Sequence, residues 1–112
     1  MNILRTSKLI SCSQKLIIDS VESFCNDKLV PIVRENYRNE YFSKYLYPEF
    51  GKAGILGSTI PGYGCLGESY KTYGLIAKEI EKVDSGFRSM VSVQSSLVMF
   101  PIYKYGNELV KE

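Results

Sequence analysis

The sequence predicts an all-α fold, a small helical bundle of four helices or slightly more. Apolar residues recur at spacings of three and four over several stretches. Those stretches are separated by proline- or glycine-bearing breaks, and no segment carries the sustained alternation of a confident β-strand. The chain has 112 residues, 45% of them apolar and 23% charged, the balance of a globular domain. That length suits one domain, and a bundle of this size buries about two-thirds of its unfolded surface.

The first helix is expected from Ser13 to about Leu29, where Ile17, Val21 and Phe24 recur with Leu16 and Cys25 beside them. Pro31 should close it. The polar run Arg34 to Glu40 then crosses to a shorter helix near Lys44 to Lys52, with Pro48 in its first turn and Gly51 and Gly54 at its end. The passage Gly57 to Gly67 reads as loop. Glu68 and Ser69 open a third helix that runs to Val83, with Tyr73, Ile76, Ile80 and Val83 as its apolar stripe. Lys71, Lys78, Glu81 and Lys82 fall mostly off that stripe. Asp84, Ser85 and Gly86 break it, a fourth helix runs from about Phe87 to Met99, and Pro101 should stop it. A last turn begins near Asn107.

The fourth helix is unusual. From Ser89 to Tyr103 there is no charged residue, whereas the outer face of a helix in a small bundle normally carries charge. Its polar residues are short: Ser89, Ser92, Gln94, Ser95 and Ser96. The pattern suits the central helix of a larger protein, at a close-packed interface or in the wall of a ligand cavity.

Composition excludes several functions. Fourteen Lys and Arg against twelve Asp and Glu leave a charge of +2, too small and too evenly spread for a nucleic-acid or anionic-membrane partner. No apolar run approaches the roughly 18–20 residues of a membrane span. The absence of histidine removes Ser-His and Cys-His nucleophiles, a histidine base and histidine-ligated metals; no metal site is expected. Cys12, Cys25 and Cys65 lack zinc-type spacing and read as buried thiols of a reducing compartment. Met1 to Lys15 carries Arg5, Lys8 and Lys15 without an acid, as a transit peptide does. Its apolar residues soon merge into the helical pattern, which is the reading preferred.

Three groups are candidate sites. The string Gly62-Tyr63-Gly64-Cys65-Leu66-Gly67 matches GxGxxG, and Asp84 follows 17 residues on. A dinucleotide site needs a buried strand before the first glycine, and Ser58 to Pro61 is too short, so a structural glycine loop is the better reading. The second group is Arg88, Ser89 and Ser92. A helix N-terminus favours anions, an arginine fork pairs with a carboxylate, and two hydroxyls complete a pocket for one carboxylate group. Residue types alone favour the plainer alternative, in which Arg88 pairs with Asp84 or Glu81. The third is the cluster Tyr37, Tyr41, Tyr45 and Tyr47, read as packing at the domain edge because single-stranded nucleic acid would want a basic groove beside it.

Phe24 to Pro31, Asn39-Glu40, Gly62 to Cys65, Val83 to Gly86, Ser92 to Met99 and Pro101 to Tyr103 together resemble the amino-terminal helical domain of the acyl-CoA dehydrogenases. Within that family the chain is most similar to the glutaryl-CoA dehydrogenase branch. The likeness covers nearly everything from Ile10 to Gly106, so residues 1–9 form an amino-terminal extension and 10–112 the helical domain. It implies a homotetrameric FAD flavoprotein with a middle β-domain and a second helical bundle. A glutamate removes the proton beside the thioester while hydride passes to the flavin, glutaryl-CoA is decarboxylated to crotonyl-CoA, and electrons leave to electron-transfer flavoprotein. By the same resemblance Arg88, Ser89 and Ser92 hold the substrate's free carboxylate, with Glu81 in their network; this favours the carboxylate reading of the second group over the plainer one. Such enzymes act in the cytoplasm of bacteria or the mitochondrial matrix of eukaryotes.

The chain departs from the pattern at Phe100, where the family often has histidine, and at Pro48, where it usually continues a helix. The β-domain, the catalytic glutamate and almost all FAD contacts lie outside these 112 residues. No catalytic or cofactor-binding residue is therefore assigned here, and Glu79 and Glu81 are not promoted to that role. The expectation is a fragment or truncated product that is inactive and flavin-free alone. The alternatives are a non-catalytic helical interaction or assembly module and, less favoured, a nucleotide-binding protein.

Overall fold

The structure, a computed structural model, describes residues 10–111. The amino-terminal extension, with most of the stretch read against a transit peptide, lies outside them.

The chain forms α1 (Cys12–Phe24), α2 (Val30–Arg38), α3 (Leu46–Lys52), a hairpin of β1 (Pro61–Gly62) and β2 (Cys65–Leu66), α4 (Tyr70–Glu81), α5 (Ser85–Ser92), α6 (Phe100–Tyr105) and α7 (Glu108–Lys111). Two widened, π-type turns, Cys25–Leu29 and Val93–Met99, join α1 to α2 and α5 to α6 without a break. The expected all-α architecture is present, with the hairpin as a small β element among the described residues.

The widened turns correct two boundaries. Pro31 and Pro101 do not stop their helices: each is the second residue of the helix that follows a widened turn. A proline inside an α-helix lacks the N–H that would bond four residues back, and its ring strikes that carbonyl. Here the chain adds a residue to the turn just ahead of it. The Val30 N–H bonds the Cys25 carbonyl, and the Phe100 N–H bonds the Ser95 carbonyl, each five residues back. The ladder is lengthened rather than broken. As a result Arg34 to Arg38 is helix and not a crossing strand of coil.

Helix starts follow local chemistry. Ser11 caps α1, accepting from the Gln14 N–H while Gln14 Oε1 accepts from the Ser11 N–H at 3.1 Å, a reciprocal capping box. Ser69 caps α4 by accepting from the Thr72 N–H. Helix α3 begins at Leu46, so Pro48 does fall in its first turn. It ends before Gly54, whose φ of +75° turns the chain away.

The core is one cluster: Val21, Cys25 and Leu29 from the first long helix, Leu46 and Phe50 from α3, Ile55, Ile76 and Ile80 from α4, and Phe87 and Val91 from α5. Phe24 and Phe50 meet with ring centroids 5.2 Å apart, and Phe42 packs edge-on to Phe87 at 6.1 Å. Full burial of side chains such as Phe50 or Leu29 stabilises by about 1.5–3 kcal/mol each. Gln14 Nε2 donates across the cluster's edge to the buried Thr72 hydroxyl at 3.1 Å, tying α1 to α4.

The body measures 40 × 40 × 20 Å, about two helix diameters thick. A slab that thin covers one side of each helix. On the α5–α6 helix Phe87, Val91 and Ser95 face inward, while Val93, Leu97, Val98 and Ile102 are exposed. Leu97 is 70% exposed. The apolar outer face expected of the uncharged helix is therefore open.

The cysteines divide. All three are free thiols, but only Cys25 is fully buried; Cys65 is half-buried and Cys12 exposed at the start of α1, so the expectation of three buried thiols fails at the termini of elements. Burial, reinforced by Glu79 and Glu22, pushes the Cys25 thiol up to about 11. Burial also raises Cys65.

Candidate carboxylate site at the α4–α5 corner

Glu81 is the last residue of α4 and Arg88 the fourth of α5, so the three-residue corner Lys82–Asp84 brings them face to face. Arg88 Nε donates to Glu81 Oε2 at 2.8 Å. Asp84, the other partner open to Arg88, is engaged elsewhere: its carboxylate caps α5 by accepting from the Gly86 N–H at 3.2 Å. Of the two pairings that the sequence left open, the structure selects Glu81.

The contact uses only one edge of the guanidinium. Among the described residues no ion pair or hydrogen bond occupies its two terminal amino groups. With side-chain exposures of 37% for Arg88 and 48% for Glu81, the pair is open to what lies beside it. Ser92 sits one turn beyond Arg88 and is half-buried; Ser89 is exposed. On a helix, residues three and four apart lie on one face, which places Arg88, Ser89 and Ser92 in one patch with Glu81 at its edge. Of the four residues singled out from the sequence, the structure joins Arg88 and Glu81 directly; Ser89 and Ser92 follow on the same helix by spacing alone.

One part of the sequence argument is not available. The helix N-terminus was expected to lend its free amides to a ligand, but Asp84 already supplies the anion there, and the Arg88 N–H bonds the Asp84 carbonyl at 3.3 Å. Anion recognition at this patch rests on side chains: the arginine fork and two hydroxyls.

The GxGxxG string is a hairpin turn. Pro61 pairs with Leu66 and Gly62 with Cys65 in antiparallel register, and the central residues Tyr63 and Gly64 both have positive φ, 54° and 78°. That is the I′ geometry of a two-residue hairpin. A pyrophosphate cradle requires a strand running into a glycine turn that opens a helix, and this loop is not one. The string therefore forms no pyrophosphate cradle of that kind among the described residues.

The tyrosine cluster does not pack as expected. Tyr37, Tyr41, Tyr45 and Tyr47 are all exposed, Tyr37 to 79%; among the described residues Tyr47 is the one of the four with a ring contact, to Phe42 at 5.6 Å. Tyr37 and Tyr41 border a cleft of about 600 Å³ with Phe42, Phe87 and Asp84, beside the arginine patch rather than at it.

Sequence reasoning missed the polar links of the uncharged helix. Ser95 Oγ, buried, accepts from the Gly57 N–H at 3.1 Å, and Ser96 shares a hydrogen bond with the Tyr73 hydroxyl at 3.2 Å. The short serines were the available signal, but their partners lie 38 and 23 residues away.

Comparison with known proteins agrees with this architecture. The family model for the acyl-CoA dehydrogenase N-terminal domain matches residues 11–112. A glutaryl-CoA dehydrogenase from Mycobacterium smegmatis, solved in complex with FADH2, superposes with a TM-score of 0.92 at 41% identity, over 97% of this chain and 28% of that one. A second structure of glutaryl-CoA dehydrogenase from the same organism gives 0.89 at 37% identity, over 94% of this chain and 27% of that one. A short-chain-specific acyl-CoA dehydrogenase of Megasphaera elsdenii is 30% identical over 103 residues, 88% of this chain and 27% of its own. An acyl-CoA dehydrogenase of Bacillus subtilis is 26% identical over 100 residues, 88% of this chain and 26% of its own. The chain thus spans about a quarter of the length of these relatives. Its helices, its hairpin and its match along residues 11–112 place it in the acyl-CoA dehydrogenase N-terminal domain family.

Proposed function

We propose that this domain supplies the carboxylate-binding end of the acyl pocket in an FAD-dependent dehydrogenase that oxidises glutaryl-CoA. The observation that carries the reading is the Arg88 fork, held through Nε by Glu81 at 2.8 Å with its terminal amino groups unengaged among the described residues. Glu81 fixes the guanidinium in place, so a carboxylate arriving at the free edge meets two oriented donors. Ser89 and Ser92 stand on the same face as further donors. The exposed, uncharged strip of the same helix, Val93 and Leu97 included, suits an acyl chain leading away from that carboxylate.

FAD, when bound, supplies the hydride acceptor. The base that takes the proton beside the thioester belongs to the remainder of such an enzyme, as does the flavin cradle. The likeness to glutaryl-CoA dehydrogenases supports glutaryl-CoA as substrate, and with it decarboxylation to crotonyl-CoA, electron-transfer flavoprotein as acceptor and a homotetramer. The reading is tested by joining residues 10–112 to the remainder of the Mycobacterium smegmatis glutaryl-CoA dehydrogenase. The hybrid should oxidise glutaryl-CoA in preference to pentanoyl-CoA. A folded, flavin-loaded hybrid with no such preference overturns it.

A further inference from the structure

The two adjacent serines in the widened turn of the uncharged helix reach different elements. Ser95 Oγ accepts from the Gly57 N–H at 3.1 Å in the buried loop ahead of the hairpin, and Ser96 Oγ meets the Tyr73 hydroxyl of α4 at 3.2 Å. Ser95 is 5% exposed. The loop is closely fitted to the same turn: Gly57 has a φ of +63°, and a Cβ there would lie 2.6 Å from Met99 Cε. Two anchors on neighbouring residues point in different directions around the helix, and together they fix its rotation.

That rotation matters because the turn is widened. A turn with one extra residue offsets the two halves of the helix by about 100° relative to an unbroken α-helix. The half before it, α5, carries Arg88, Ser89 and Ser92; beyond it Ile102 and Tyr103 of α6, with Met99 of the turn, border a cavity of about 200 Å³ shared with Ile60, Tyr63 and Cys65 of the hairpin region, and Tyr103 meets Tyr63 edge-on at 6.3 Å. The anchored turn thus sets the direction in which the arginine face points relative to the hairpin side of the domain.

We propose that Ser95 is a positioning residue for the substrate-carboxylate site: its bond to Gly57 holds the widened turn, and the turn aims Arg88, Ser89 and Ser92. The inference rests on the carboxylate-binding reading of Arg88. Removing the hydroxyl leaves the Gly57 N–H buried without a partner, which favours rearrangement of loop and turn together.

The test uses the hybrid enzyme, with kcat/KM measured for glutaryl-CoA and for pentanoyl-CoA, which has the same number of acyl carbons and no free carboxylate. Ser95→Ala should lower the glutaryl-to-pentanoyl ratio at least tenfold, and Ser95→Thr, which keeps the hydroxyl, should restore most of it. Tyr73→Phe removes the exposed anchor without disturbing the core and should shift the ratio the same way, about threefold. In the 112-residue chain, Ser95→Ala should speed amide hydrogen exchange at Gly57. A purely structural role predicts a lower melting temperature with the ratio unchanged in both variants, and that result overturns the proposal. Arg88→Met separates the two readings. If it moves the ratio while Ser95→Ala and Tyr73→Phe do not, positioning fails alone; if it leaves the ratio unchanged, the carboxylate reading fails and takes positioning with it.

Discussion

Arg88 and Glu81 join the last turn of one helix to the first turn of the next through a single 2.8 Å hydrogen bond that engages one edge of the guanidinium. An ion pair this exposed contributes little to stability, about 0–1 kcal/mol. In the proposed carboxylate site its part is orientation. In the hybrid enzyme, Arg88→Met strands the substrate's carboxylate and should lower kcat/KM for glutaryl-CoA by about 2–4 kcal/mol in transition-state terms, about 30- to 1000-fold. Pentanoyl-CoA has no such charge and should be used as well as before. Ser89→Ala and Ser92→Ala should cost less. Equal losses on both substrates, with a lower melting temperature, would show that Arg88 only braces the corner.

The 112-residue chain should be colourless. Its glycine loop is a hairpin, and the described residues form no pyrophosphate cradle. After expression in flavin-rich cells the purified chain should show no visible flavin absorbance and no oxidation of glutaryl-CoA. Stoichiometric flavin would contradict this.

The open strip of Val93, Leu97, Val98 and Ile102 should make the chain sticky. Exposed contiguous apolar patches beyond a few hundred Å² are rare on monomers. We expect concentration-dependent association by light scattering and binding of a hydrophobic dye, both reduced by Leu97→Lys. Met90 does not belong to the strip, because it packs against the core. A monomer at high concentration that leaves the dye unbound would refute the strip as a contact surface.

Cys25 makes stability fall in alkali. Its thiol is pushed up from its ordinary value of 9.0 to about 11, by burial first and then by Glu79 and Glu22. Between those values the unfolded chain has lost the proton that the folded chain keeps, so unfolding is favoured as pH rises. The contribution is intact below pH 9 and is lost progressively toward 11, on the order of 2–3 kcal/mol in all. Urea denaturation from pH 8 to 11 should show a smaller decline in Cys25→Ala than in the unmodified chain. Parallel curves would refute it. At pH 8 a thiol reagent should label Cys12 first and Cys25 only on unfolding.

The sequence disclosed what depends on neighbours along the chain. Periodicity located Val21, Ile76, Ile80 and the uncharged helix, and Pro48 was placed correctly in a first turn. What it misread depends on geometry that periodicity does not encode. Pro31 and Pro101 read as stops in the sequence because the rule that proline breaks a helix assumes α geometry, and the widened turns remove that assumption. The Arg88–Glu81 pair was one of two local choices, and only the commitment of Asp84 to its cap decides between them. Ser95 and Gly57 stand 38 residues apart, and no local pattern couples them.

Pro101 also changes what a length variant would do. In an ordinary helix a residue deleted between Val93 and Met99 shortens the rod by about 1.5 Å; here it takes away the spare residue that makes room for a proline ring. Such a deletion should be tolerated far better when Pro101→Ala accompanies it. The reverse substitution pattern follows: Pro101→Ala alone should leave far-ultraviolet helicity unchanged, since the helix already runs through it. Length and proline at this point work as one mechanical unit, so changing the one alters what the other costs.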